Sequence, residues 1–185
     1  MTYNFKETSV LVVESSQAMF DLIKSVLMVF GIKEVYAAYS TADGFKVFCD
    51  HNPDLVIVDW LEDPENGLEL TKRIRTDASS PNPFVPVVMM TGYSQKKRIL
   101  MARDSGITEF MAKPFTAKTL YDRIEQIIEQ PRQFVKAPKY FGPDRRRRSK
   151  TYDGQERRDS DGGNNDKKSP AQRAKEMHER SQKES

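Results

Sequence analysis

Residues Val10–Ser16 read VLVVESS, and residues Leu55–Trp60 read LVIVDW. In each, four consecutive apolar residues run into a carboxylate, Glu14 in the first and Asp59 in the second. Runs of this length, rich in valine, fit strands buried on both faces, because a strand with one wet face alternates apolar with polar residues. Three more runs of strand length follow the same plan: Val35–Ala38, Val85–Met90 and Thr108–Met111. Between them lie segments with helical spacing: Ala18–Phe30, Thr41–Cys49, Gly67–Asp77, Gln95–Asp104 and Thr116–Glu129. In the last of these Leu120, Ile124, Ile127 and Ile128 share one face, as a core-facing stripe should. Gly31, Gly106 and the Pro81–Pro83 cluster supply stops where helices should end. Strands alternating with helices imply a parallel sheet, since parallel neighbours need crossover connections. The expected fold is therefore a doubly wound α/β domain over residues 1–130.

The charge is unevenly spread. Residues 1–130 hold 14 Lys+Arg against 18 Asp+Glu, and residues 131–185 hold 16 against 9, so an acidic domain precedes a basic tail. That tail carries few large apolar residues, too few to offset its ordering entropy, and is expected to be disordered from Pro131 to Ser185. Within it YFGPDRR (Tyr140–Arg146) and YDGQERR (Tyr152–Arg158) echo each other twelve residues apart, which reads as a duplicated docking peptide. The single cysteine, Cys49, excludes an internal disulfide framework and fits a reducing compartment. The two histidines, His51 and His178, cannot build a Cys/His metal cluster. With no signal pattern and no apolar run long enough to span a bilayer, a cytoplasmic location is expected.

In an open α/β sheet, ligands gather beyond the carboxyl ends of the strands. Four strands here end on chemistry: Glu14, Asp59, Thr91 and Lys113. Two neighbouring carboxylates repel each other unless a cation intervenes. A Mg²⁺ ion, held by oxygen ligands and water, would serve, helped by Lys113. A carboxylate so placed suits attack on a phosphoryl group, whose oxygens gather the developing charge.

The stretches VLVVESS, PDLVIVDW followed by NGLEL, VPVVMMTG and EFMAKPF together resemble the receiver domain of response regulators, the phosphoacceptor module of two-component signalling. The resemblance spans nearly all of residues 8–130. It implies a flavodoxin-like sheet of five parallel strands in the order 2-1-3-4-5. It also implies Asp59 as the phosphoacceptor, Thr91 and Lys113 as phosphoryl-contacting groups, and Thr91 with Phe110 as the switch pair. The Lys113–Pro114 bond is usually cis in this family, and Gly67 sits eight residues after Asp59 as the pattern requires. Glu14 and Ser15 fill the acidic pocket. Mg²⁺ would be held by Glu14, Asp59 and the backbone carbonyl of Leu61.

Two departures bear on that metal. The family ends its first strand on two adjacent acids, whereas here Ser15 follows Glu14. The proline usually found four residues after the aspartate comes one residue late, at Pro64, with Glu62 and Asp63 before it. Glu62 or Asp63 could restore the missing charge, and a weakened Mg²⁺ site is expected. Leu61 and Tyr93, bulky and not acidic, would shield an aspartyl phosphate from water. The fourth helix opens with Lys96, Lys97 and Arg98, giving the responding face a basic patch.

The expected function is a stand-alone response regulator. It would be phosphorylated on Asp59 by a histidine kinase or phosphotransfer protein and would act on a downstream protein target. The alternative is a receiver-like adaptor that works without phosphorylation. Nucleic-acid binding through Arg145–Arg148 is disfavoured, because Asp144, Asp153, Glu156, Asp159 and Asp161 dilute that charge and stacking aromatics are lacking. No base, cofactor loop or second nucleophile accompanies the pocket, so an enzyme acting on a separate substrate is not expected.

Overall fold

A computed structural model describes residues 5–60, 66–92, 96–138 and 140–144. The readings placed on Leu61, Glu62, Asp63, Pro64, Tyr93, the side chains of Lys96, Lys97 and Arg98, and the chain from Arg145 onward lie outside the described residues. The elements run β1 (Ser9–Val13), α1 (Gln17–Val29), β2 (Glu34–Ala38), α2 (Thr41–His51), β3 (Leu55–Asp59) and α3 (Asn66–Thr76). They continue with β4 (Val87–Thr91), α4 (Lys96–Asp104), β5 (Glu109–Ala112), α5 (Ala117–Glu129), β6 (Phe134–Ala137) and β7 (Tyr140–Pro143).

Strands β1 to β5 form one parallel sheet in the order β2-β1-β3-β4-β5, as expected. Alternation along each strand divides the core in two. Leu11, Val13, Val56, Val58, Val87 and Met89 face Phe45 and Phe48 of α2, Leu70 and Ile74 of α3 and Ala102 of α4. Their neighbours Val10, Val12, Ile57, Val88 and Met90 face Phe20, Ile23 and Leu27 of α1 and the α5 stripe of Leu120, Ile124 and Ile127. Both faces are covered, which is why the strands read as unbroken apolar runs. Local chemistry sets the helix ends. Ser16, Ser40 and Thr116 accept hydrogen bonds from the amides of Met19, Asp43 and Thr119 at three helix N-termini. Gly31 and Gly106 follow α1 and α4 at φ of 93° and 90°, a region that suits glycine.

The sequence reading ended the ordered chain at Gln130, and this needs correction. β6 and β7 pair as an antiparallel hairpin, and the compact unit runs to Asp144. The hairpin joins the domain through three phenylalanines: Phe84 lies 5.3 Å from both Phe134 and Phe141, and those two lie 5.8 Å apart, ring centre to ring centre. Arg132, just ahead of β6, reaches the buried carboxylate of Glu109 at 3.2 Å. The turn before β5 meets β7 closely: a Cβ on Gly142 would stand 2.8 Å from the Cα of Gly106. Averaged composition concealed this. A segment poor in apolar residues cannot build a core of its own, but two aromatics suffice when the partner surface belongs to an existing domain.

Candidate functional site

The first link is at the end of β1. Glu14 is only 3% exposed, and its backbone amide continues the sheet by donating to the carbonyl of Ala38. The carboxylate Oε1 accepts from the backbone amide of Ser16, which caps α1, at 3.0 Å. Its Oε2 accepts from Lys113 Nζ at 2.7 Å. Asp59, at the end of β3, takes the same ammonium on Oδ1 at 2.9 Å. One cation thus bridges carboxylates from two adjacent strands. Burial pulls the Lys113 pKa down, but hydrogen bonds to Glu14 and Asp59 and their charges more than reverse this, so it ends above the ordinary lysine value.

Lys113 is held in place by its backbone, whose amide donates to the carbonyl of Thr91 at 2.7 Å. The Lys113–Pro114 peptide is cis. Thr91 is fully buried at the end of β4, and Phe110, two residues before the edge of β5, is half-buried against the cluster on the α2–α4 side. Gly67 explains its own spacing from Asp59. A Cβ there would lie 2.6 Å from the Asp59 carbonyl oxygen, so only glycine lets the first turn of α3 come this close. Sequence reasoning noted the position without its cause. It expected Lys113 to help neutralise the two acids, and the structure supplies the contact, a single ammonium group that reaches both.

The structure therefore brings Glu14, Asp59 and Lys113 into contact and sets Thr91 beside them through the Lys113 backbone. Ser15, by contrast, is exposed. Among the described residues no group of three or more His, Cys, Asp or Glu side chains could hold a metal. The donors that are present, the carboxylates of Glu14 and Asp59, are oxygen ligands and match Mg²⁺ in kind, since that ion keeps several waters. They are few for a dedicated cage. Glu14 and Asp59 would hold the ion, and it would supply charge neutralisation at phosphoryl oxygens.

Residues 10–125 match the response regulator receiver domain family. The chain belongs to that family. Chemotaxis protein CheY1 of Helicobacter pylori is 30% identical over 120 residues, spanning 64% of this chain and 94% of that protein. Chemotaxis protein CheY-3 of Vibrio cholerae serotype O1 is 27% identical over 125 residues, spanning 68% and 95%. Among solved structures, a response regulator from Thermotoga maritima is 28% identical with a TM-score of 0.58, covering 66% of this chain and 98% of that one. Membership of the receiver family places the protein in phosphorylation-based, two-component signalling. Receiver domains take up and lose the phosphoryl group themselves and do not turn over a separate substrate. Among the described residues no helix is long and apolar enough to cross a membrane.

Proposed function

We propose that Asp59 is the phosphoacceptor of a response regulator, charged by a histidine kinase or phosphotransfer protein and read by a downstream protein. The observation that carries this is the placement of Lys113 Nζ, 2.7 Å from Glu14 and 2.9 Å from Asp59, at the sheet edge where Thr91 also ends its strand. In the step, an Asp59 carboxylate oxygen attacks phosphorus, the bond from phosphorus to the donor breaks, and the donor leaves with that electron pair. Asp59 loses its charge in the attack, while the new phosphoryl group brings about 1.5 to 2 negative charges. Lys113 then pairs with the phosphoryl oxygens, and Thr91 donates its hydroxyl to one of them. Mg²⁺, when bound, adds charge neutralisation at the same oxygens. Moving Thr91 opens space that Phe110 can fill, which biases the face built from α4, β5 and α5 between two arrangements.

Intact mass after incubation with acetyl phosphate and Mg²⁺ tests the assignment. The native chain should gain one phosphoryl group and Asp59→Asn none. A native chain that gains nothing, or an Asp59→Asn chain that still gains it, removes Asp59 from the role. One observation favours a second reading. Ser15 stands where the family carries an acid, which supports a receiver-like adaptor that works without phosphorylation, and the same measurement decides between the two.

A further inference from the structure

Opposite the edge that carries Asp59, the C-terminal turns of α3 and α4 meet the β6–β7 hairpin around an open cleft of about 430 Å³. Lys72 and Arg75, about one turn apart on α3, and Lys136 of β6 line it, and Pro138 and Phe141 give it an apolar wall. Arg75 is the unusual member. It is 4% exposed, donates through Nε to the carbonyl of Gly106 at 3.0 Å and through Nη1 to that of Pro83 at 2.9 Å, and lies 5.0 Å over the Phe134 ring. Its Nη2 is buried with no hydrogen-bond partner among the described residues. No carboxylate of those residues pairs with Arg75, Lys72 or Lys136. A buried charge is normally paired, because leaving water is costly.

We propose that this cleft binds a small phosphate-bearing anion with an apolar or aromatic body. Its charge supports this. Asp104, the one acid in the lining, is engaged by Arg103 at 3.1 Å. The two helix C-termini each contribute about half a negative charge, which leaves a clear excess from the three cations. The hydroxyls on the lining donate elsewhere: Thr76 to the carbonyl of Lys72, Ser105 to that of Met101 and Tyr140 to that of Pro143. Recognition therefore falls to the ammonium groups of Lys72 on α3 and Lys136 on β6, with the field of Arg75 beside them. Burial pushes the Arg75 pKa down to about 9, with only Tyr140 acting the other way, so an anion nearby would relieve an existing cost. The volume lies within the range of small-molecule sites, and the apolar wall favours an organic phosphate over the bare ion.

Amide NMR of the full chain titrated with phenyl phosphate and, separately, inorganic phosphate tests this. Saturable shifts are expected at Thr76, Ser105, Ala137 and Tyr140, with phenyl phosphate the tighter of the two. Lys72→Ala/Lys136→Ala, at two exposed positions, should weaken binding at least about tenfold, the effect of losing roughly 1.4 kcal/mol. Three results would overturn the proposal: no saturation by about 20 mM, where a millimolar site would be nearly full; saturable shifts confined to Glu14, Asp59 and Lys113; or binding unchanged in the double variant, which would assign the anion to the arginines beyond Asp144.

Discussion

Removing the bridging cation is the sharpest test of the site's electrostatics. In Lys113→Met the side chain keeps most of its length and loses its charge, leaving Glu14 and Asp59 less than about 6 Å apart, since both touch one nitrogen. At an effective dielectric constant near 20, each contact carries a gross attraction of about 6 kcal/mol, much of it offset by desolvation. Breaking a buried pair by deleting one partner typically costs about 3–5 kcal/mol. Glu14 is nearly sealed, but the Asp59 and Lys113 side chains remain 19% and 18% exposed, so the lower end applies and a loss of about 3 kcal/mol is expected at pH 7.

That loss should vary with pH in a definite way. In the native chain the Lys113 pKa is raised. Its contribution is complete below the unfolded value of about 10.4 and is lost as pH climbs through the folded one, so the gap between the native chain and the variant closes in alkali. Urea denaturation of both chains from pH 7 to 11 measures the difference. A gap under about 0.5 kcal/mol at pH 7, the size of an ordinary surface substitution, or one flat across the range, would refute the reasoning.

Gly67→Ala should cost about 1–3 kcal/mol and lower phosphorylation of Asp59, because its Cβ would lie 2.6 Å from a backbone oxygen that cannot swing away; unchanged melting and labelling would contradict it. Ending the chain after Asp144 should leave urea stability unchanged, whereas ending it after Gln130 should cost about 2–4 kcal/mol by stripping Phe134 and Phe141 from Phe84. Equal midpoints for the two truncations would show that the hairpin does not support the domain. Ser15→Asp should tighten Mg²⁺ binding at least about tenfold. Trp60, buried directly after Asp59, reports it by fluorescence, and a variant no tighter than the native chain would remove Ser15 as the weak point.

The strand-end residues Glu14, Asp59, Thr91 and Lys113 were legible because both relevant periods are short. A buried strand declares itself in four residues, and the residue after it falls at one known edge of the sheet. Topology then converges those edges, so placing four residues along the chain was enough to place them together in space. The same logic located Gly31 and Gly106, whose left-handed backbone is a local requirement.

What needed three dimensions was every contact whose partner lies far along the chain. The reach of Lys113 to Glu14 and Asp59 together, the closeness of Gly67 to the Asp59 carbonyl, and the unpaired burial of Arg75 leave no periodic trace. The hairpin is the clearest case. Phe134 and Phe141 look like stray aromatics in a polar tail, because their stability comes from Phe84, some fifty residues earlier. A sequence encodes local conformation in its near neighbours, so α/β alternation and the reactive edge could be read directly. Which distant surfaces meet depends on shape and charge that exist only after the sheet has formed, and so tertiary structure alone decided the bridging cation, the docked hairpin and the cationic cleft beneath it.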